Sequence, residues 1–228
     1  MKVFDHIPVK LDVVEFMKTQ GIRKIAEQEV SSLMEKSSQL VEPKAVYTFL
    51  KTLNVDNPKV HLEGGYVLDS IVLSDTLREG QIIAPYVITI GPRVEKLASE
   101  QAKNSILKSW ILEKIGDYAL SKAREHAKSE IEKQMESKVS SFGPGTGTGK
   151  LFDIRQQEVL FKILEPQNKI GVTLTPSYLM IPRKSVSGVF ASTNTEYVAC
   201  QYCPKKCESR KKSFSGEYHQ TECEHESC

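Results

Sequence analysis

The residues best suited to chemistry are five cysteines, all of which follow residue 199. Cys200, Cys203 and Cys207 are spaced so that neighbouring thiolates could hold one metal ion from a tight turn. Cys223 is the predicted fourth ligand, and the other candidates are His219, His225 and Cys228. Zinc and an iron–sulfur cluster both fit such thiolate ligands. The same clustering leaves open free thiols or a redox disulfide in place of a metal.

A glycine-rich stretch, Phe142–Lys150 (FGPGTGTGK), is the second candidate. A P-loop needs glycine where Pro144 stands and Ser or Thr where Leu151 stands, so two fixed positions are wrong. A dinucleotide loop needs a preceding strand, whereas a charged helix is predicted here, which disfavours ordinary nucleotide binding. One remaining interpretation is a flexible connection between helices. The other is a ligand loop, in which backbone N–H groups approach a small polar ligand at Pro144, Gly145, Thr146 and Gly147.

Composition limits the class of protein. The chain of 228 residues is 39% hydrophobic and 26% charged, with a formal net charge of +2. So small a net charge provides no global basic field for nucleic acid. No apolar run approaches the roughly 18 residues that cross a bilayer, and the first residues do not read as a signal peptide. We therefore expect a cytoplasmic globular protein with no nucleic-acid or membrane partner.

Hydrophobic periodicity predicts helices and strands without a regular βαβ alternation. The predicted strands are Lys2–Pro8, Ala45–Leu53, Val60–Leu62, Gly80–Gly91, Gly171–Thr175 and Val186–Ala191. The predicted helices are Leu11–Lys18, Lys24–Ser37, Pro92–Ala102, Ser105–Val139 and Asp153–Leu164, the last capped by Asp153. Pro85 predicts a bulge or a sheet edge within its strand. This mixture predicts an α+β fold, an antiparallel twisted sheet with flanking helices.

The long predicted helix Ser105–Val139 carries an apolar face. Its members are Ile106, Trp110, Ile111, Ile115, Ala119, Ala123, Ala127 and Ile131. Glu113 and Asp117 are like-charged neighbours one turn apart, so they are predicted to face solvent. No paired carboxylates and no Ser/His/Asp arrangement stand out, and no catalytic residue is predicted.

The motifs that follow this helix resemble the activation domain of cobalamin-dependent methionine synthase. That family has a Pro-Gly loop, a short helix, a G-x-x-L-T-x-S strand, and then M-x-P and S-V-S-G. The chain has the same order in Pro144-Gly145, Asp153–Leu164, Gly171–Ser177, Met180–Pro182 and Ser185–Gly188, within Ile106–Tyr197. The string Lys184–Gly188 and the C-terminal cysteines resemble the stand-alone members associated with corrinoid methyltransferases.

The resemblance implies a domain that binds S-adenosylmethionine and docks over a corrinoid, so that inactive cobalamin is reduced and remethylated. It implies a ligand site made by the glycine loop together with Ser185, Ser187, Gly188 and Tyr197, where Tyr197 would stack on or hydrogen-bond to the ligand.

Two positions depart from the family motif. Ser141 stands where the family has an arginine that would suit a ligand carboxylate, and Thr146 stands where the family has a tyrosine. Leu174, Leu179 and Met180 supply an apolar edge, although core packing is the plainer interpretation of Leu174 and Met180.

We expect one activation-domain-like domain over residues 1–199, followed by a polar cysteine-rich tail over 200–228. Residues 1–104 would form N-terminal helices and strands, and 105–199 the family-matching part. The predicted function is an accessory or reactivation protein for a cobalamin-dependent methyltransferase in methionine biosynthesis. The cobalamin would sit on a partner corrinoid protein or methyltransferase. The alternatives are a component with methionine synthase-type methyltransferase activity and a metal-binding structural module without ligand.

Overall fold

The computed structural model of the chain describes residues 1–22, 25, 27–147, 149–193, 197–204 and 212–215. The chain divides into two compact units. The first unit comprises Met1–Thr48, Tyr86–Gln134 and Leu164–Ser187, and the second comprises Phe49–Pro85, Met135–Ile163 and Gly188–Cys228. The predicted boundary between residues 199 and 200 stays a prediction.

The elements alternate irregularly along the chain. In order they are β1 (Lys2–Phe4), α1 (Val13–Thr19), α2 (Glu27–Ser38), β2 (Lys44–Tyr47), β3 (Leu50–Asp56), β4 (Lys59–Leu62), β5 (Val67–Asp69), α3 (Ile71–Thr76), β6 (Ile82–Thr89), α4 (Arg93–Ala102), α5 (Ile106–Met135), β7 (Val139–Phe142), α6 (Gln157–Leu164), α7 (Pro166–Ile170), β8 (Thr173–Leu174), β9 (Met180–Ile181) and β10 (Ser185–Ser192). Short 3-10 turns lie at Glu63–Gly65, Ile154–Gln156 and Ala199–Tyr202.

Antiparallel pairing joins these strands. β1 pairs with β2, β2 and β3 with β6, β3 with β4, β4 with β5, and β10 with β7, while β8 and β9 form a separate hairpin. β10 also pairs with β6. The α+β fold with an antiparallel sheet and flanking helices is therefore confirmed. No helix within the described part of the chain is both long and apolar enough to cross a membrane.

The core of the first unit forms between α1, α2 and α5. Asp12 caps α1 by accepting a hydrogen bond from the backbone N–H of Glu15 at 2.8 Å. The main buried cluster is Phe16, Ile22, Val30, Met34, Ile111, Ile115 and Tyr118. These residues recur at helical spacing, so the predicted periodicity found the helices that build this core.

The apolar face predicted for α5 is correct from Ile111 onward and wrong at its start. Ile106 is 83% exposed and Trp110 is 42% exposed. At about 100° per residue, Trp110 points well away from Ile111, so it lies off the buried stripe. The helix also ends at Met135, four residues before the predicted end, because Glu136 adopts a left-handed conformation with φ of 50°.

The core of the second unit forms where the meander of β3, β4 and β5 packs with α3, α6 and the β7–β10 pair. Its buried residues are Val60, Leu62, Leu68, Val72, Leu73, Leu77, Ile83, Phe142, Leu151, Phe152, Leu160, Val189 and Ala191. Asp153 caps the turn before α6 by accepting a hydrogen bond from the N–H of Arg155 at 2.8 Å, as predicted. Phe142 begins the glycine-rich loop and Phe152 follows it in sequence, and both belong to this core, so the core anchors both ends of the loop.

Two strand predictions need correction. Pro85 lies inside β6, a buried strand with several partners, so the predicted sheet edge is wrong and the predicted bulge stays a prediction. β6 pairs with β3 at Ile82 and Ile83 and with β2 from Tyr86 onward, and neither pairing includes Pro85. Proline has no backbone N–H to donate, which suits a position between these two paired stretches. The single strand predicted over Ala45–Leu53 is correspondingly divided into β2 and β3.

The third correction concerns the residues before the glycine loop. A charged helix was predicted to run directly into the loop, but β7 (Val139–Phe142) intervenes. Val139, Ser140 and Phe142 are buried by pairing with β10. Four residues are too few for their alternation to be distinguished from a fraying helix end, which is why periodicity missed the strand.

Candidate functional site

The glycine-rich loop is a series of tight turns and not an open connection. The N–H of Gly145 donates to the carbonyl oxygen of Phe152 at 2.7 Å, and the N–H of Gly149 donates to that of Thr146 at 3.3 Å. The hydroxyl of Thr146 donates to the carbonyl oxygen of Gly143 at 2.7 Å. Gly145 and Gly147 adopt φ of 78° and 70°, a region that side chains rarely tolerate. Glycine is therefore required here by backbone conformation.

Two of the glycines also have neighbours that leave little room for a side chain. A Cβ at Gly145 would lie 3.1 Å from the side chain of Ile154, and a Cβ at Gly147 would lie 3.3 Å from the carbonyl oxygen of Ala199. A Cβ at Gly149 would meet nothing within 4 Å. The loop is thus packed against the Ile154 turn on one side and the Ala199–Tyr202 turn on another.

Pairing of β7 with β10 brings Gly188 close to the start of the loop. Phe142 is the register partner of Val189 in the antiparallel β7–β10 pair. Phe142 directly precedes Gly143, and Val189 directly follows Gly188. Gly188 is buried within β10. The second unit thereby collects Pro144, Gly145, Thr146, Gly147 and Gly188 at one end of the β7–β10 pair.

Tyr197 lies in a stack of three aromatic rings. Its ring centroid is 4.5 Å from that of Phe142 and 5.6 Å from that of Tyr202, with interplanar angles of 21° and 19°. Its backbone N–H donates to Oγ of Ser140 at 2.9 Å. The Tyr197 ring is therefore already stacked with two neighbouring rings, which limits the room for a ligand to stack on it.

The phenol of Tyr197 lies near the glycine loop. Burial raises the pKa of Tyr197 to about 12, helped by the nearby Tyr202 and Cys200, while the nearby Thr146 side chain opposes the rise. The family's loop tyrosine is replaced by Thr146, and here that threonine contacts the second predicted tyrosine. Tyr197 and Thr146, predicted as separate ligand residues, are brought together.

The remaining predicted ligand residues, Ser185 and Ser187, belong to the first unit. Both are buried. Oγ of Ser185 donates to the carbonyl oxygen of Pro182 at 2.6 Å and lies 2.9 Å from Oγ1 of Thr89. Thr89 in turn accepts a hydrogen bond from the N–H of Gly91 at 3.1 Å. The Ser185 hydroxyl thus fixes the start of β10, and its predicted role toward a ligand stays a prediction.

A cluster of ion pairs around the buried Lys184, which the sequence did not reveal, adjoins Ser185. The ammonium of Lys184, only 8% exposed as a residue, lies 2.8 Å from Oε2 of Glu113 and 2.6 Å from Oδ1 of Asp117. Arg183 donates to Oε1 of Glu113 at 2.8 Å and, through its backbone N–H, to Oε2 of Glu95 at 2.8 Å. The solvent-facing position predicted for Asp117 is confirmed, while Glu113 is half-buried. The two carboxylates share the Lys184 cation, which relieves their mutual repulsion.

Helix α5 is shaped to receive this lysine. Gly116 lies under the Lys184 side chain, and a Cβ there would sit 3.1 to 3.3 Å from its Cε, Cδ and Cγ atoms. Burial disfavours the charged form of Lys184, but its hydrogen bonds to Asp117 and Glu113 prevail and raise the pKa of Lys184. Burial likewise opposes ionisation of Glu113, yet Lys184 and Arg183 lower the pKa of that carboxyl. The cluster is charged on both sides.

The predicted metal ligands are only partly within the described residues. Cys200 lies in the Ala199–Tyr202 turn and Cys203 directly follows it, both half-buried. Among the residues that the structure describes, no three His, Cys, Asp or Glu side chains are grouped as a metal site requires. Cys207 and Cys223 lie outside the described residues, as do His219, His225 and Cys228. The zinc or iron–sulfur site stays a prediction.

The three residues predicted to form an apolar edge, Leu174, Leu179 and Met180, differ in how far they are exposed. All three lie in or between β8 and β9, and Leu179 is 61% exposed. Leu174 and Met180 are half-buried, so neither is among the fully buried core residues. A hairpin with two residues in each strand is too small to enclose its own side chains.

The residues that contact the predicted site residues were harder to predict from the sequence than the site residues themselves. Phe142 and Tyr202 escaped notice although they enclose Tyr197, and Lys184 was noted only as part of a motif. One available signal was the pair Glu113 and Asp117 with Gly116 between them. Two carboxylates beside a helix glycine indicate a groove that a cation could enter.

Comparisons with known proteins bear on this arrangement. The family model described as "Vitamin B12 dependent methionine synthase, activation domain" matches residues 27–208, which contain the loop, β10 and the turn with Cys200 and Cys203. The solved structure of the MetH reactivation domain bound to AdoHcy is similar, with a TM-score of 0.62 and 14% sequence identity, covering 92% of this chain and 80% of that chain. At that identity the likeness concerns the fold. No curated protein matches the chain. Since the family model spans well over half of the residues, the chain belongs to the activation-domain family of vitamin B12-dependent methionine synthase.

Proposed function

We propose that this protein is an accessory protein for a cobalamin-dependent methyltransferase and that it binds S-adenosylmethionine at the glycine loop. Cobalamin would be carried by a partner corrinoid protein or methyltransferase, whose inactive cofactor is reduced and remethylated. Family membership supports the cobalamin link, and the structural relative bound to AdoHcy supports this class of ligand.

The observation that carries the proposal is the conformation of the loop backbone. Gly145 and Gly147 hold φ values that favour glycine and keep the loop free of side chains on its turns. A backbone without Cβ atoms can approach a polar ligand closely, and Gly188 adds a further small residue beside the loop. A mere connection would need neither the packing against Ile154 nor that against Ala199.

The ligand's carboxylate must be bound differently from the family pattern, because Ser141 replaces the arginine. The nearest arginine in sequence, Arg155, gives its guanidinium fork to Asp153, with Nε and Nη2 at 3.0 and 2.8 Å from the two carboxylate oxygens. The N–H groups of Gly145, Thr146 and Gly149 already donate to carbonyl oxygens of the loop and of Phe152, so we expect the carboxylate to be bound more weakly than a bidentate arginine would bind it.

Isothermal titration of the full chain with S-adenosylmethionine and with S-adenosylhomocysteine tests the ligand. Gly145→Ala should abolish binding, because its Cβ would push the loop away from Ile154. Gly149→Ala is the matched control, since it also has positive φ, at 76°, but open space around it. Absence of binding by the unaltered protein, or equal losses in both variants, would refute the proposed ligand site.

A second experiment tests the accessory role. The protein is added to a candidate corrinoid protein whose cobalt is in the inactive oxidised state, with a reductant and S-adenosylmethionine, and methylcobalamin is followed by its absorbance. Return of the methylated form only in the presence of this protein supports the proposal. Methionine formation by this protein alone from homocysteine, cobalamin and a methyl donor would contradict it.

The tail is tested separately. Analysis of metal and sulfide in anaerobically purified protein would detect the zinc or iron–sulfur site predicted for Cys200, Cys203, Cys207 and Cys223. Serine replacement of Cys207 and Cys223 should release that metal.

A further inference from the structure

The turn that contains Cys200 and Cys203 is suited to a reversible disulfide. The N–H of Cys203 bonds to the carbonyl oxygen of Cys200 at 3.5 Å and closes a 3-10 turn over Ala199–Tyr202. In 3-10 geometry, residues three apart lie on the same side, with Cα atoms roughly 6 Å apart. That separation falls in the range that disulfides favour. Both cysteines are half-buried, so part of each residue is within reach of solvent.

The same turn is packed against the glycine loop at several points. The carbonyl oxygen of Ala199 would lie 3.3 Å from a Cβ at Gly147. The ring of Tyr202, which directly precedes Cys203, stacks on Tyr197 at 5.6 Å, and Tyr197 lies near the Thr146 side chain of the loop. A change in the turn therefore reaches the loop both through its backbone and through a ring stack.

We propose that Cys200 and Cys203 form a redox-sensitive pair that controls the glycine loop. The oxidant is a small disulfide such as oxidised glutathione. One thiolate attacks it and forms a mixed disulfide, and the second thiolate then displaces the glutathione thiolate. The two protein thiols lose two electrons and two protons in all, and oxidised glutathione becomes two glutathione thiols. Closure of the ring fixes the turn, and the loop against it becomes more rigid.

This inference does not depend on ligand binding, so its test uses the protein alone. Cys207, Cys223 and Cys228 are replaced by serine in the full chain, which leaves two thiols and removes the predicted four-thiolate metal site. After treatment with oxidised glutathione, peptide mapping should find Cys200 joined to Cys203 without glutathione attached. Amide exchange of the peptide over 143–151, measured by mass spectrometry, should slow roughly fivefold on oxidation and recover on reduction.

Two glycine variants in this background separate coupling from general stiffening. Gly147→Ala and Gly149→Ala cost similar backbone strain, since their φ values are 70° and 76°, but only Gly147 adjoins Ala199. We expect the exchange response to oxidation to be lost in the Gly147→Ala variant and kept in the Gly149→Ala variant. In the otherwise unaltered chain, Cys200→Ser/Cys203→Ser should abolish the response.

Three outcomes would overturn the inference. One is a stable glutathione adduct at either cysteine with no ring closure. Another is a Cys200–Cys203 disulfide that leaves exchange of the loop unchanged. The last is an equal response to oxidation in the two glycine variants.

Discussion

The segment Pro182–Ser187 of the first unit and the loop Gly143–Gly147 of the second owe their conformations to different interactions. The former is fixed by the Lys184 ion cluster and by the Ser185 hydroxyl, whose partners are distant in sequence. The latter is fixed by short-range turns and by Tyr197. A segment of small residues can thus be held either by ion pairs with residues distant in sequence or by hydrogen bonds of its own backbone. Only the second arrangement can be predicted from a sequence motif.

The largest expected effect comes from breaking the ion cluster. Lys184→Met should lower the free energy of unfolding by about 2 kcal/mol, because Glu113 and Asp117 lose their shared cation while still partly exposed to water. Urea denaturation measures the change. The exposed Lys103→Met is the control, and it should be nearly neutral. Equal stability of the two variants would mean that charge does not hold the segment.

The corresponding substitutions in the loop are expected to have smaller effects. Thr146→Val removes the hydroxyl that donates to the carbonyl oxygen of Gly143 at 2.7 Å, so it should cost about 1 kcal/mol. Tyr197→Phe removes only the phenol hydroxyl near Thr146 and keeps the ring stack, so it should cost less. Because the two side chains lie close together, the double variant should cost less than the sum of the two. A double-mutant cycle by urea denaturation gives the coupling. Full additivity would show that the two residues act independently.

A substitution on α5 is expected to change stability in different directions with and without the Lys184 side chain. Gly116→Ala improves helix propensity by up to about 1 kcal/mol, but its Cβ crowds Lys184, which is anchored at its ammonium. We expect a neutral or unfavourable effect in the unaltered protein and a stabilising effect in the Lys184→Ala background. Thermal unfolding of the four proteins checks this. A stabilising effect of equal size in both backgrounds would contradict the packing.

The smallest effect is a pH dependence of the cluster. The pKa of Glu113 is lowered in the folded state, so its contribution is present above the pKa of the unfolded chain and is lost as pH falls through the folded value. Below about pH 4, the stability advantage of the unaltered protein over Lys184→Met should shrink by a few tenths of a kcal/mol or more. Denaturation from pH 3 to 7 measures it. An advantage that grew on acidification would refute this assignment.

Local pattern was enough to predict most elements and the small residues of the site. Helical spacing located α1, α2, α4 and most of α5, and Asp153 was recognised as a cap. The glycine loop could be predicted because glycine residues themselves indicate tight turns. Each of these features is decided by residues a few positions apart, which is the range over which periodicity and turn chemistry act.

What could not be predicted depends on residues far apart in sequence. Lys184 meets Glu113 and Asp117 across about seventy residues, and a charge pattern alone does not disclose such a partner. The same holds for Phe142 beside Tyr197, and for β7, whose four residues are strand only because β10 pairs with them. Contacts made by tertiary packing override short, weak local preferences.

Pro85 has a consequence for how β6 resists opening. Ile82 and Ile83 are paired with β3, Tyr86 to Thr89 are paired with β2, and β10 also pairs with β6. Pro85 carries no amide proton and lies where the partner changes from β3 to β2. Deuterium uptake on its two sides can therefore follow the opening of two different neighbouring strands.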